Sequence, residues 1–529
     1  MMILASIGGL VIDRIQQVLQ GIDRIQSRVL SSTLQEKIQL SIARKINQLP
    51  ILVAENPESR DLMQKVLDKS GNSIWSFIIP ISTLPEIIFT IISTAIPIFS
   101  FQPWIVIPCI LLAIPNIIVN IGSSKAWHAL SDEYSPRWRI YRALEDFAVK
   151  GKYLYENKIL GHIETLLNRR LKMATEYYNT TKVIEKKYTI RGQVLSVPLS
   201  LFQTGSRLYL YYLAIIQTLT LGTANITSTA IDRFIGNVSR LIRQASDIFQ
   251  NYLFISDYEQ FMSLPEEDQI TGIKLPNNFS EGIEFKDVWF KYDHSPNWIL
   301  KGVSFKVDPT DNIAIVGENG AGKTTLIKLL CRFYEPQKGE IYVNGQNIQN
   351  YNLKDYRHAI SALFQDFAQY PFSVEDNIRF GDVGRKKIKK DIRLAAKLTG
   401  ITDFIKSLPL QYKNPLDKEF EGGIEPSKGL WQRIALSRIL YRNAQILILD
   451  EPTSNVDPKS EEEIFADVLR VAKEKMIFLV SHRFSTVRKA DKILVLENGL
   501  AVEYGSHEQL MKQNGRYKEL FSLQAQSYQ

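Results

Sequence analysis

Hydrophobic patterning divides the chain into two unlike halves. Between Lys69 and Lys125 the only charged residue is Glu86, and two apolar stretches, about Ile74–Phe99 and Trp104–Ile121, fill the run. Each is long enough to cross about 30 Å of hydrocarbon as a helix. Ser100-Phe101-Gln102-Pro103 would turn the chain between them. Pro80, Pro85, Pro97, Pro108 and Pro115 would spoil soluble helices but are tolerated in membrane spans. A second sparse region lies between Arg191 and Asp232, where Arg207 is the only charge, and it predicts a span at about Gln193–Ile216. From about Thr223 to Phe254, Ile231, Phe234, Ile235, Val238, Leu241 and Ile242 recur at helical spacing among polar residues. Such a helix would cross a membrane only with its polar face against protein or an aqueous cavity. Arg207, Arg240 and Arg243 would then face a translocation path; on the other reading Arg240 and Arg243 lie beyond the bilayer.

The segments between these pairs, Arg14–Lys69 and Lys125–Arg191, are long, helical in pattern and richer in Lys and Arg than in Asp and Glu. The turns near Ser100 and across Thr218–Ile231 are uncharged. By the positive-inside rule the long segments are cytoplasmic and the turns external. Helices near Pro50–Ser59 and Lys158–Leu166 are expected to meet the second half. Met1–Ile12 is apolar but only about half a span at 1.5 Å per residue. It lacks the basic leader and cleavage site of a signal peptide.

Past a polar run, 263–282, the pattern changes to short strands and helices. Ile283-Glu284-Phe285-Lys286-Asp287-Val288-Trp289-Phe290 alternates like a strand. Ile313–Val316 reads as a buried strand and Leu326–Leu330 as a helix. Between them, Gly317-Glu318-Asn319-Gly320-Ala321-Gly322-Lys323-Thr324-Thr325 fits the phosphate-loop pattern G-x-x-x-x-G-K-[ST]. Its glycines let backbone N–H groups turn toward phosphate oxygens, and the helix end adds partial positive charge. Lys323 would reach the β- and γ-phosphates, and the Thr324 hydroxyl would join a Mg²⁺ shell. Tyr292 would stack on an adenine ring. Ile446-Leu447-Ile448-Leu449-Asp450-Glu451 is an apolar strand ending in two acids. Asp450 suits Mg²⁺ through water, and Glu451 is placed to polarise an attacking water. Met476–Val480 is a further apolar strand, followed by Ser481-His482, and His482 is the histidine expected at the γ-phosphate. The other five histidines lack such a setting.

Composition changes this picture little. The net charge of +8 is small for 529 residues and does not point to nucleic acid, since basic loops at a membrane account for it. Cys109 and Cys331 are far apart, which excludes a disulfide framework or a metal-ligand spacing.

On these residues the second half, about Ile283 to Leu523, resembles the nucleotide-binding domain of ATP-binding cassette (ABC) transporters of the exporter type. The first half resembles the matching membrane domain more loosely. The resemblance implies an all-α transmembrane bundle (1–262), a linker (263–282) and an α/β P-loop NTPase of ABC type (283–529). It implies that Tyr292 stacks on adenine, that Gln365 in Ala362-Leu363-Phe364-Gln365-Asp366 senses Mg²⁺, and that His482 is the switch histidine. Ser454-Asn455-Val456-Asp457 resembles the loop linking the two sites of a dimer. The signature position reads Pro426-Ser427-Lys428-Gly429-Leu430 where the family has Leu-Ser-Gly-Gly-Gln. Ser427 and Gly429 remain to meet a γ-phosphate, with a helix beginning near Trp431 behind them. The implied activity is ATP hydrolysis driving export of a lipid, peptide or amphipathic cargo across the cell membrane. The implied partners are membrane lipid and a second half-transporter, as homodimer or heterodimer, with no nucleic acid. The family's membrane half has six spans, and on this reading the first is missing. The rival readings are a regulatory or defective half-subunit and a soluble ABC-type ATPase.

Overall fold

The computed structural model describes every residue except 1, 70–72, 102, 277–278, 294, 387, 452–465, 467, 470–474, 482 and 527–529. The chain forms two compact units, Met1–Glu266 and Glu267–Gln529.

The first unit is helical: α1 (Met2–Gln48), α2 (Ile51–Glu55), α3 (Pro57–Lys69), α4 (Ser73–Phe101), α5 (Val106–Val149), α6 (Gly151–Leu160), α7 (Ile163–Ile215) and α8 (Leu221–Met262). Chain breaks fall where local chemistry demands them. Pro57 follows Asn56, whose backbone is extended (φ −63°, ψ 131°), as a residue before proline prefers. Gly161 ends α6 in the left-handed region (φ 62°), where the absence of a Cβ removes the strain. Thr220 caps α8 by accepting from the Thr223 amide.

Among the described residues, two helical stretches are long and apolar enough to cross a membrane, Trp75–Phe101 and Pro103–Val149. The spans expected within α7 and α8 are helical too, but they do not qualify on apolar composition. Polar side chains such as Gln203, Arg207, Asp232 and Arg240 interrupt them. These side chains have partners on neighbouring helices. Arg207 Nη2 lies 2.5 Å from Asp232 Oδ2, and Gln203 Nε2 donates to Asp232 Oδ1 at 2.5 Å. Arg240 Nη1 lies 3.4 Å from Glu86 Oε1, near the midpoint of α4. Arg240 is therefore level with the apolar run of α4. Helix α4 passes unbroken through Pro80, Pro85 and Pro97. The Gln244 side chain of α8 donates to the Pro80 carbonyl and the Thr83 hydroxyl, and Asn251 donates to the Ser76 carbonyl at 3.2 Å. A neighbouring helix thus meets the polar groups of a proline-rich span. Ile98, Ile105, Val106, Leu199, Leu210, Ala224 and Phe234 form a buried core where α4, α5, α7 and α8 meet. Phe89, Ile92, Ile107, Ile118 and Leu201 are exposed on the outside, as lipid-facing side chains would be.

The second unit carries two sheets. An antiparallel sheet has the order β2 (Leu300–Val307), β1 (Ile283–Phe290), β4 (Lys338–Val343), β5 (Gln346–Asn347). The other has the order β10 (Leu500–Gly505), β9 (Lys492–Glu497), β3 (Asn312–Val316), β8 (Met476–Val480), β7 (Ile446–Asp450), β6 (Ile360–Leu363). Its strands from β9 to β6 are parallel. Every residue of β7 and β8 is buried, which is why both read as unbroken apolar runs. The polar run expected to be a linker is bound to this unit from Glu267 onward. Arg357 pairs with the Glu267 carboxylate at 2.5 and 2.9 Å, and Ile273 bridges Tyr351.

Candidate nucleotide site

A parallel sheet offers its ligand site at the carboxyl ends of its strands. Here β3, β8 and β7 are neighbours and all end on the same side. The phosphate loop leaves β3 and runs into helix α9 (Lys323–Leu330). Gly317 (φ 151°) passes so close to the backbone that a Cβ there would lie 2.1 Å from the Leu496 carbonyl oxygen. Gly322 (φ 103°) would meet Leu300 at 2.7 Å. The Leu496 backbone excludes a side chain at Gly317, and the left-handed backbone at Gly322 strains any L-residue there, which is the physical content of the two outer glycines of the motif.

The loop borders a cavity of about 640 Å³ lined by Tyr292, Ile299, Asn319, Gly320, Gly322, Lys323, Thr324, Thr325, Gln365, Asp450, Glu451 and Val480. Lys323 folds back over the loop, donating to the carbonyls of Gly317 at 2.8 Å and Glu318 at 2.9 Å. Burial lowers its pKa, while Glu451 and Asp450 oppose that shift. Ala321, also within the loop, donates its N–H to the Glu318 carbonyl at 3.2 Å. Thr324 Oγ1 donates to Asp450 Oδ2 at 3.3 Å. Burial and the neighbouring Glu451 raise the Asp450 pKa, against the Thr324 bond and the charges of Lys323 and Lys328. A hydroxyl, a carboxylate and the Gln365 amide are hard oxygen donors, which suits Mg²⁺.

Glu451 stands directly after β7 with φ 50°, a left-handed conformation uncommon for a residue with a side chain. Its N–H donates to the Val480 carbonyl at 2.9 Å, and its own carbonyl accepts from Gln432 Nε2 at 3.0 Å. Gln365 Nε2 donates to its carboxylate at 3.3 Å. Tyr292 is packed at right angles against Phe290 (5.1 Å between centroids) and Tyr334 (5.3 Å), with its hydroxyl 3.2 Å from Thr325 Oγ1.

The structure thus brings together Tyr292, the phosphate loop, Gln365, Asp450 and Glu451. Ser427 and Gly429 are not part of this lining. The helix behind them begins at Lys428, three residues before the expected start near Trp431, because Ser427 caps it by accepting from the Leu430 amide at 3.3 Å. His482, Asp457 and the rest of Ser454–Asp457 lie outside the described residues. Three contributors were not legible in advance: Ile299, Tyr334 and the Gln432 amide. Each acts through long-range packing, and only the phosphate loop's own register marks its vicinity in the sequence.

Residues 300–454 match the ABC transporter family. The chain is 28% identical to a subtilin transport ATP-binding protein of Bacillus subtilis over 92% of its own length and 79% of the relative's. It is 35% identical to a putative multidrug export ATP-binding/permease protein of Bacillus subtilis over 59% of the chain and 53% of the relative. It is 37% identical to an ATP-dependent lipid A-core flippase of Methylobacillus flagellatus over 51% of the chain and 45% of the relative. Apart from the first, these relatives are matched over about half their length. A bacterial Atm1-family ABC exporter solved with ATP bound superposes with a TM-score of 0.77 at 24% identity, over 94% of this chain and 86% of that one. The fold and the cavity define an ABC-type ATPase domain. Together with its helical first unit, this domain has the fold of an ABC exporter chain.

Proposed function

We propose that two such halves, identical or not, bind two ATP molecules between their cassettes and use hydrolysis to export an amphipathic cargo across the cell membrane. The observation that carries this reading is the single cavity onto which Lys323, Thr324, Gln365, Asp450 and Glu451 converge. Thr324, Gln365 and Asp450, the last through water, would hold Mg²⁺, which when bound neutralises phosphate charge. Lys323 exchanges its loop carbonyls for phosphate oxygens. Tyr292 holds the adenine by its open ring face. Glu451, fixed at its main chain by Val480 and Gln432, orients a water and takes up its proton. His482 contacts the γ-phosphate and Asp457 the opposite site. Ser427 and Gly429 of the second half close over the same phosphate. Tight ATP binding favours the closed pair only by its differential affinity for that state, so release after hydrolysis reopens it.

The relatives named for subtilin transport, multidrug export and lipid A-core flipping support an exporter reading, and the basic long segments support a cytoplasmic cassette. The test is association in lipid. Glu451→Gln with Mg²⁺-ATP should accumulate as a cross-linkable dimer, and a chain that stays monomeric would refute the proposal.

A further inference from the structure

Two membrane-depth ion pairs demand an explanation that ATP chemistry does not give. Glu86 and Arg207 are the lone charges of their sparse runs, and each has found an opposite charge on α8: Arg240 for Glu86, Asp232 for Arg207. Glu86 sits near the midpoint of the 29-residue α4. Asp232 lies about 16 Å from the start of α8, at 1.5 Å per residue, and Arg207 about 12 Å from the end of α7. Both pairs are therefore at hydrocarbon depth. Neither is enclosed: the Glu86 and Arg240 side chains are 63% and 48% exposed. A charge this open cannot face lipid tails without a cost of several kcal/mol. This edge of α8 therefore faces water or the second half rather than lipid.

The two pairs are also held unequally. Asp232 accepts two contacts of 2.5 Å, from Arg207 and Gln203. Glu86 has one, of 3.4 Å. The loose pair is the exchangeable one. A cargo with one charge would take one member and leave the other to water. A head group carrying both signs would pair with both at once.

We propose that Glu86 and Arg240 form a binding station for a zwitterionic head group, lining the aqueous path of the exporter. The Arg207–Asp232 pair holds α7 against α8 beside it. This deepens the export reading given above and rests on it.

The test uses the full chain in nanodiscs and three C12 amphiphiles: dodecylphosphocholine, dodecyl phosphate and dodecyltrimethylammonium. Dodecylphosphocholine should stimulate ATPase several-fold and the other two little. Glu86→Gln and Arg240→Gln should each abolish that stimulation with basal hydrolysis kept, and the swap Glu86→Arg with Arg240→Glu should restore part of it. Equal stimulation by all three, or unaltered stimulation in the variants, overturns the station. Absence of basal hydrolysis would instead defeat the export reading. Independently, Glu86→Cys in a background with Cys109 and Cys331 replaced by Ala should react with a membrane-impermeant thiol reagent and be protected by dodecylphosphocholine. A thiol shielded from the reagent on both sides overturns the proposal even if the charge variants misfold.

Discussion

Thr324 Oγ1 and Asp450 Oδ2, 126 positions apart in sequence, meet in a hydrogen bond of 3.3 Å at the ends of β3 and β7. One strand, β8, separates those two strands in the sheet. The register that pairs Asp450 with Val480 and Ile315 with Val480 sets all three strand ends level. On the proposed reading that bond marks where the oxygens that would hold Mg²⁺ converge, and Asp450→Asn should lower turnover at least about 10-fold. Steady-state hydrolysis across a magnesium series checks it, with unchanged turnover contradicting the assignment.

The raised Asp450 pKa fixes the sign of a pH effect. A carboxyl whose folded value lies above its unfolded one costs stability above the unfolded value, and that cost is relieved as pH falls through the folded value. Protonation would also weaken the hold that Asp450 is proposed to have on Mg²⁺ through water. Magnesium-dependent ATP affinity should therefore fall off on acidification at a pH above the ordinary aspartate value of 3.8. Titration of nucleotide binding by tryptophan fluorescence reads this directly; a midpoint at or below 3.8 would contradict it.

Tyr292 packs at right angles against Phe290 and Tyr334, near Thr325, with Lys328 Nζ 5.7 Å from its ring centroid. Tyr292→Ala should raise the KM for ATP about 5- to 100-fold, the equivalent of roughly 1–3 kcal/mol of stacking. Tyr292→Phe, which loses only the contact with Thr325, should change it less than about 5-fold. Parallel KM measurements separate the ring from the hydroxyl.

The altered signature makes a structural prediction. Ser506 and Gln509 form a reciprocal capping box elsewhere in this chain. Ser427 has the same N-cap position, but Leu430 stands where the returning amide would be and packs instead against the core around Trp431 and Ile434. Leu430→Gln would complete the box and offer an amide at the helix end. Turnover should rise about 5-fold, the worth of one hydrogen bond of about 1 kcal/mol. An unchanged rate would show Leu430 to be neutral.

Arg357 ties the polar run to the cassette through Glu267 and also donates to the carbonyls of Cys331 and Arg332. Both members of the pair are largely buried. Arg357→Ala should destabilise the cassette by about 3 kcal/mol, because it strands a buried carboxylate. Urea unfolding measures this, and a loss below about 1 kcal/mol would mean that water replaces the guanidinium.

What the sequence made legible follows from how local each signal is. The phosphate loop, β3, β7 and β8 are contiguous patterns with a fixed period or spacing, and the structure has them at those residues. Tyr292 and Gln365 needed a resemblance, because one aromatic or one amide carries no period of its own. The start of the signature helix was misplaced because its cap, Ser427, had been assigned to ligand binding rather than to the helix. Two positions for Arg240 stay open in the sequence because its level depends on Glu86, 154 positions away on another helix. The polar side chains of the α7 and α8 stretches are satisfied across helices that no window along the chain can see.

The central claim is that the converged residues hydrolyse ATP to drive the membrane unit. Its most direct test is vanadate-sensitive ATP hydrolysis by the full chain reconstituted in lipid, beside Glu451→Gln. The account predicts turnover in the unaltered chain and none in the variant, which still binds ATP. Equal rates in the two, or no hydrolysis by either, would contradict it.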